Sequence, residues 1–331
     1  MKIIVDKAIP FMQGILEPWA DVHYIAGKEI SREDVADADA LIIRTRTRCN
    51  AELLEGSRVK MIATATIGFD HIDLDYCRER GIEVATAAGC NARGVLQWIA
   101  GVLMTLSLVQ GWKPRQRTLG IVGVGHVGSL VKEYAEEWGF RVICCDPPRE
   151  EREHCGFLPL EEVASQADIL TFHVPLDATT RHMVNAELLE LLQPEAVLIN
   201  ASRGEVVDTE AMNEDTHDCV FDVWEHEPAI DRELLERALI TTSHIAGYSE
   251  QGKANAASMA VQAVARHFGL PLEDWYPAEA ARQTPRPISW DELRETIFEY
   301  FDVAGETERL KEHPEQFEEL RDKYAYRKEY F

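Results

Sequence analysis

Three short segments carry side chains that could work together on an alcohol. Ile199-Asn200-Ala201-Ser202-Arg203-Gly204 offers a guanidinium. Asp222-Val223-Trp224-Glu225-His226-Glu227-Pro228 offers a carboxylate, and Ser243-His244-Ile245-Ala246-Gly247-Tyr248 an imidazole. Each follows an apolar run that reads as a strand. Removing a hydride from an alcohol carbon needs a base for the hydroxyl proton, and imidazole serves near neutral pH. A carboxylate bonded to that imidazole fixes its tautomer and favours the charged form. A guanidinium grips a carboxylate through two parallel bonds and so orients the neighbouring carbon. Singly, Arg203 reads as a surface ion pair, Glu227 as a helix-start acid and His244 as a core histidine. Jointly, past successive strands, Arg203, Glu227 and His244 form a candidate catalytic set.

Such a set needs a hydride acceptor, and residues 118–146 could hold one. An apolar strand-like run, 119–122, leads into Gly123, Gly125 and Gly128 in the spacing G-x-G-x-x-G. Val131, Tyr134, Ala135 and Trp138 then fall on one helical face, and Gly139 closes the helix. A second run, 142–145, ends at Asp146, 18 residues past Gly128. In a dinucleotide site the first glycine permits the turn, the second admits the pyrophosphate and the third lets helix and strand pack closely. The helix N-terminus attracts the phosphates. Asp146 can accept from ribose hydroxyls and would repel a 2′-phosphate, which favours NAD over NADP.

The rest of the chain alternates strands and helices, the pattern of parallel sheets covered on both faces. Strand-like runs at 3–5, 40–43 and 61–64 precede the glycine motif; runs at 168–173, 196–200, 219–223 and 239–242 follow it. With the two flanking the motif, six strands make a full doubly wound cofactor domain. Asn185 can cap a helix built on Leu188, Leu189, Leu191 and Leu192. The apolar stretch 95–110 contains Gln97 and is short for a membrane span, so a buried helix is expected. Residues 249–269 read as a helix returning to the first domain. A Pro-, Ala- and Arg-rich linker is expected at 277–287. The end, 288–331, shows aromatic and charged residues at helical spacing, with Phe298, Phe301, Phe317, Leu320, Tyr324 and Tyr326 as expected buried anchors.

A length of 331 residues suits two domains plus an appendage. The net charge of −24 argues against nucleic acid or an anionic membrane as the main partner. It also means that an anionic substrate needs a local basic site. Arg44-Thr45-Arg46-Thr47-Arg48, just past a strand, has the composition for a phosphate or carboxylate. A second loop, 65–73, includes Thr66 and His71, the latter read as structural. The seven cysteines form no C-x-x-C pair and read as reduced thiols of a cytoplasmic protein. Met1 runs straight into a strand-like KIIVD, so no signal peptide is expected. No metal is expected.

The order G-x-G-x-x-G, INASRG-x-VVD, DVWEHEP and SHIAGY closely resembles the D-isomer-specific 2-hydroxyacid dehydrogenases, across roughly residues 40 to 270. TATIGFDHID, AGCNA, GIVGVGHVGS, CDPPR, LTFHVPL and SHIAGYSEQGKA narrow the likeness to a subfamily acting on a small phosphorylated hydroxy acid. The end, FEELRDKYAYRKEY, resembles the dimerisation segment peculiar to that subfamily.

The resemblance implies two doubly wound α/β domains. One is a Rossmann NAD domain over 93–248. The other is a flavodoxin-like substrate domain over 1–92 and 249–276. A small dimerisation segment over 288–331 completes a homodimer. It implies Arg203, Glu227 and His244 as catalytic residues, with His244 the acid/base. It implies cofactor contacts at His126, Val127, Asp146, Val174, Ala201, Ser202, Arg203, Asp222 and Gly247, beside Gly123, Gly125 and Gly128. It implies substrate contacts at Thr45, Thr66 and Tyr248, near Arg44 and Arg46. It also implies tightly held NAD(H) that a 2-oxo acid reoxidises in place. Ser243 departs from the family's usual proline, Gln97 from its usual glutamate, and the segment between Asp208 and Asp222 is short. Two alternatives stay open: another D-2-hydroxyacid dehydrogenase, such as one acting on 3-phosphoglycerate, and an NAD-sensing corepressor-like protein.

Overall fold

A computed structural model describes residues 1–282 and 285–331. Two positions of the expected linker, 283 and 284, lie outside the described residues. The chain divides into two compact units. One comprises Met1–Asn91 and Ser249–Arg282; the other comprises Ala92–Tyr248 and the described part of 283–331.

The first unit is a five-stranded parallel sheet: β1 (Lys2–Asp6), β2 (Asp21–Ile25), β3 (Ala40–Ile43), β4 (Met61–Thr64) and β5 (Glu83–Thr86). Its order is β2-β1-β3-β4-β5, the flavodoxin-like arrangement. The central strands are buried on both faces. Ile3, Val5, Ile42 and Ala63 face the helix Glu250–Phe268, packing on Ala257, Ala260, Val261 and Val264. Ile4, Leu41, Ile43 and Ile62 face the other way, toward Val35, Leu53, Leu54 and Cys77. The sequence pattern does not expose β2 and β5, because these edge strands are half-covered and lack a continuous apolar run.

The second unit is a six-stranded parallel sheet: β6 (Thr118–Val122), β7 (Arg141–Cys145), β8 (Ile169–Phe172), β9 (Val197–Asn200), β10 (Asp218–Phe221) and β11 (Ile240–Thr241). The order β11-β10-β9-β8-β6-β7 reverses between β6 and β8. In open α/β sheets a ligand crevice forms at such a switch, beyond the strand ends. The apolar helix Ala92–Gln110 is a core helix here, with Trp98, Ile99, Leu103 and Met104 fully buried.

The C-terminal residues are built into this unit. On the helix Trp290–Tyr300, Leu293 and Ile297 are fully buried, and Phe301 follows in the same stripe. A Cβ at Gly101 would meet Phe301 at 2.9 Å, so the segment lies tight on the apolar helix. Phe301 and Phe317 are buried as expected, but Phe298 and Tyr326 are 41% and 42% exposed. Phe298 sits one residue off the 293–297–301 stripe and so points away from it. Past Asp322 the chain is not helical. Arg327, Glu329 and Phe331 are buried while Tyr326 and Lys328 are exposed, a period of two.

Burial also settles the thiols. Among the described residues all seven cysteines are free, and Cys155 alone is exposed. Burial pushes the Cys49 and Cys219 thiols up to about 12, and those of Cys144 and Cys145 up to about 11.

Candidate active site

The catalytic candidates all lie in the second unit, on loops that leave β9, β10 and β11. β9 ends at Asn200, whose amide ties the following turn. Its Nδ2 donates to Arg203 O at 2.8 Å, and its Oδ1 accepts from Ser202 Oγ at 2.7 Å. Arg203 Nη1 donates to Ser202 O at 2.7 Å. Gly204 then passes so close to the next loop that a Cβ would sit 2.0 Å from Trp224 C and O. Only a residue without a side chain allows that approach, which sets the Arg203 loop against the loop carrying Glu227.

That loop folds back on itself. Trp224 N–H donates to Glu227 Oε1 at 3.0 Å, and Trp224 Nε1 donates to Thr242 O at 3.0 Å. Glu227 Oε2 then pairs with His244 Nδ1 at 2.8 Å. With the Nδ1 proton given to the carboxylate, Nε2 keeps the lone pair that can accept a substrate proton. Burial raises the Glu227 carboxyl, but His244, the Trp224 N–H and Arg321 outweigh it and hold the group below the usual carboxylate range. The carboxylate therefore stays charged beside the imidazole.

Asp222, expected against the cofactor, has its carboxylate engaged within the protein. It is 1% exposed and accepts from Thr242 Oγ1 (2.5 Å), Ile245 N (2.7 Å) and Ala246 N (2.9 Å). Thr242 Oγ1 in turn accepts from Trp98 Nε1 at 3.1 Å. His244 has φ +58°, a conformation that costs a non-glycine residue about 1–3 kcal/mol. The Asp222 carboxylate clamps the two amides after it and so holds the turn that aims the imidazole at Glu227.

The glycine loop fits a dinucleotide. A Cβ at Gly128 would lie 2.0 Å from Gly123 O, and Gly123, at φ +85°, would press on His173 O and Val174 Cγ1 at 2.8 Å. A Cβ at Gly125 would meet nothing within 4 Å, which leaves the approach open on that side. No side chain caps the helix His126–Trp138, so its first-turn amides suit a pyrophosphate. His126 is exposed and Val127 half-buried on that turn. Asp146 has duties the motif does not reveal. It accepts from Val124 N at 2.7 Å and caps the helix Pro147–Glu153 by accepting from Arg149 N at 2.9 Å. Each of its oxygens has a second lone pair for a ribose hydroxyl.

Gly125→Ala separates cradle from scaffold. The new methyl has room in the free protein, so thermal stability should stay within a degree or so. NAD affinity, read by fluorescence titration, should fall about tenfold or more, because the methyl stands where backbone must approach the pyrophosphate. Unchanged affinity would remove the loop as the cofactor seat.

In the first unit, the loops after β3 and β4 run side by side, bridged at Cys49 and Ile72. Arg44 is not a free anion ligand, since its Nε is paired with the buried Asp6 at 3.0 Å. Thr45, Arg46 and Arg48 are exposed, and Thr47 is buried on Gly27 O. Thr66 Oγ1 shares a 2.6 Å bond with Thr64 Oγ1. Ala201 and Gly247 are half-buried, and Ser202 is bonded to Asn200. Tyr248 OH accepts from Arg321 Nε at 3.1 Å. Gln97 is 1% exposed, and its amide has no hydrogen-bond partner among the described residues. An amide costs less to bury there than the carboxylate it departs from.

A six-stranded parallel unit with a glycine cradle at its switch point and an Arg, Glu and His past its strand ends defines a nucleotide-dependent dehydrogenase. The family model "D-isomer specific 2-hydroxyacid dehydrogenase, NAD binding domain" matches residues 97–246. An erythronate-4-phosphate dehydrogenase of Bacteroides thetaiotaomicron is 47% identical over 99% of this chain and 97% of its own. That of Porphyromonas gingivalis is 38% identical, covering 99% and 94%. Among solved structures, an Aquifex aeolicus D-lactate dehydrogenase complexed with NAD and lactic acid is 25% identical. It matches with a TM-score of 0.70, over 85% of this chain and all of that one. An NAD+-bound 3-phosphoglycerate dehydrogenase of Entamoeba histolytica is also 25% identical, with a TM-score of 0.69 over 86% and 99%. The chain belongs to the D-isomer-specific 2-hydroxyacid dehydrogenases, in the erythronate-4-phosphate dehydrogenase family.

Proposed function

We propose that this chain oxidises 4-phospho-D-erythronate to 2-oxo-3-hydroxy-4-phosphobutanoate, a step toward pyridoxal 5′-phosphate. The observation that carries the reaction class is the 2.8 Å His244–Glu227 pair in an NAD-binding unit. The substrate follows the relatives, whose likeness extends over nearly the whole chain. NAD, when bound on the glycine loop, supplies the acceptor for the hydride. Arg203 grips the substrate carboxylate and orients C2. His244 Nε2 takes the C2 hydroxyl proton, and Glu227 stabilises the imidazolium. In the reverse direction His244 returns the proton. Thr45, Arg46, Thr66 and Tyr248 serve the phosphate and remaining hydroxyls, with Arg44 held on Asp6 beside the first of them. Leu108, Val109, Phe298 and Tyr300, all exposed, support a homodimer. Free thiols support a cytoplasmic setting.

The test is turnover of 4-phospho-D-erythronate against 3-phospho-D-glycerate, with a 2-oxo acid present to reoxidise bound NADH. Preference for the erythronate is expected. Preference for the glycerate would move the protein to a sister activity. No turnover of either, with NAD bound, would favour a sensor.

The anion loop makes its own prediction. Arg46→Ser should raise KM for the phosphorylated substrate roughly tenfold while changing KM for unphosphorylated erythronate little, as one charge-assisted contact implies. Equal effects on both would remove the phosphate assignment. Arg44→Ser should also lower stability, because it removes the ion pair of the buried Asp6 carboxylate and leaves it the Ala8 N–H.

A further inference from the structure

The helix Phe317–Asp322 brings Arg321 against the candidate catalytic pair. Its side chain is only 20% exposed. Nε donates to the Tyr248 hydroxyl oxygen at 3.1 Å. Nη1 lies 3.7 Å from Glu227 Oε2, the oxygen that also pairs with His244 Nδ1 at 2.8 Å. The guanidinium stands 6.0 Å from the Tyr248 ring centre, and Tyr324 and Tyr326 meet that ring edge-on at 6.4 and 6.0 Å. A surface arginine would extend its head into water; this one turns inward to a carboxylate and a phenol.

We propose that Arg321 is a positioning residue of the active site, sharing the Glu227 carboxylate with His244 and orienting Tyr248 toward substrate. The inference rests on the dehydrogenase reading of His244 and Glu227 given above. It gives the C-terminal segment a part in the reaction as well as in assembly.

Two consequences follow from the charge and the bond. Glu227 is faced by His244, the Trp224 N–H and Arg321, and Arg321 by Tyr248, Glu227 and Asp222. Asp222 is taken up by Thr242 and two backbone amides. Arg321 thus helps keep the Glu227 carboxylate charged and in place on His244 Nδ1; without it the imidazole is held less firmly and kcat falls. Separately, loss of the Nε bond removes one tie on the Tyr248 hydroxyl, and KM rises.

The experiment compares kcat and KM in the full-length wild type, Arg321→Gln and Arg321→Lys, with 4-phospho-D-erythronate and NAD. Wild-type turnover, measured alongside, separates failure of this inference from failure of the reading beneath it. Arg321→Gln should lower kcat and raise KM, each several-fold, with NAD affinity unchanged. Arg321→Lys should restore kcat while KM stays raised, because one ammonium cannot serve both groups. Wild-type kcat and KM in folded Arg321→Gln overturn the proposal. Should Arg321→Gln not fold, Arg321→Lys decides: wild-type KM there overturns it, and raised KM with wild-type kcat supports it.

Discussion

His244→Asn should lower kcat for hydroxy-acid oxidation about a thousandfold, within the range for losing a general base, and leave NAD affinity within about twofold. Asparagine can still bond Glu227 Oε2, so the loop should hold its shape. It has no nitrogen that accepts a proton near neutral pH, so the substrate hydroxyl must lose its proton to water. Glu227→Gln should act more mildly. The amide keeps a contact to Nδ1 but withdraws the charge that stabilises the imidazolium. Steady-state kinetics across pH, with NAD binding as a control, read all of this. A kcat within tenfold of wild type in His244→Asn would place the base elsewhere.

Much of this centre is readable from the chain because its chemistry is local in sequence. G-x-G-x-x-G specifies a turn whose backbone clashes with any Cβ, so the glycines at 123 and 128 cannot be disguised. Arg203, Glu227 and His244 each lie within a few residues of a strand end, and apolar runs mark those ends. The strand order is not local. That β6 and β8 adjoin while β7 lies at the edge follows from crossovers, and no run of residues encodes it directly. Asp222 shows the same limit. That its carboxylate serves the amides of residues 245 and 246 is not written in the local sequence. Thr242 and Trp98 were invisible as partners because they meet from elements 144 residues apart. The C-terminal end misled by composition. Charged and aromatic residues suggested helix throughout, whereas the last residues run extended, with alternate side chains inward.

Arg327→Met should cost the protein roughly 3 kcal/mol of stability or more, and should reduce kcat although residue 327 is far in sequence from every catalytic candidate. Arg327 is 6% exposed. Its Nη1 donates to Ile245 O at 3.0 Å, and its Nη2 donates to Gly94 O at 2.7 Å and also to Ala246 O. It further donates to Tyr324 OH at 3.2 Å and lies 4.8 Å from the Phe301 ring centre. Methionine can fill much of that volume but donates nothing. Three buried carbonyls then lose their arginine donor, although Ile245 O keeps the Tyr248 N–H at 2.8 Å, and a buried acceptor left without any partner costs about 1–3 kcal/mol. Two of them belong to the residues just past His244, whose amides Asp222 holds. The turn is thus gripped by its N–H groups from one side and its carbonyls from the other. Removing one grip lets the strained φ at His244 relax, and the imidazole leaves Glu227. Truncation of residues 288–331 cannot expose this link, since it also removes Leu293, Ile297, Phe301 and Phe317, which are part of the core of the unit. The point substitution keeps that core. Urea unfolding and kcat in Arg327→Met, beside Arg327→Lys as a partial replacement, measure the two effects. A loss below about 1 kcal/mol with kcat intact would mean that the C-terminal end only lies against the catalytic turn. A joint fall in stability and kcat, partly recovered by lysine, would mean that it holds the turn in shape.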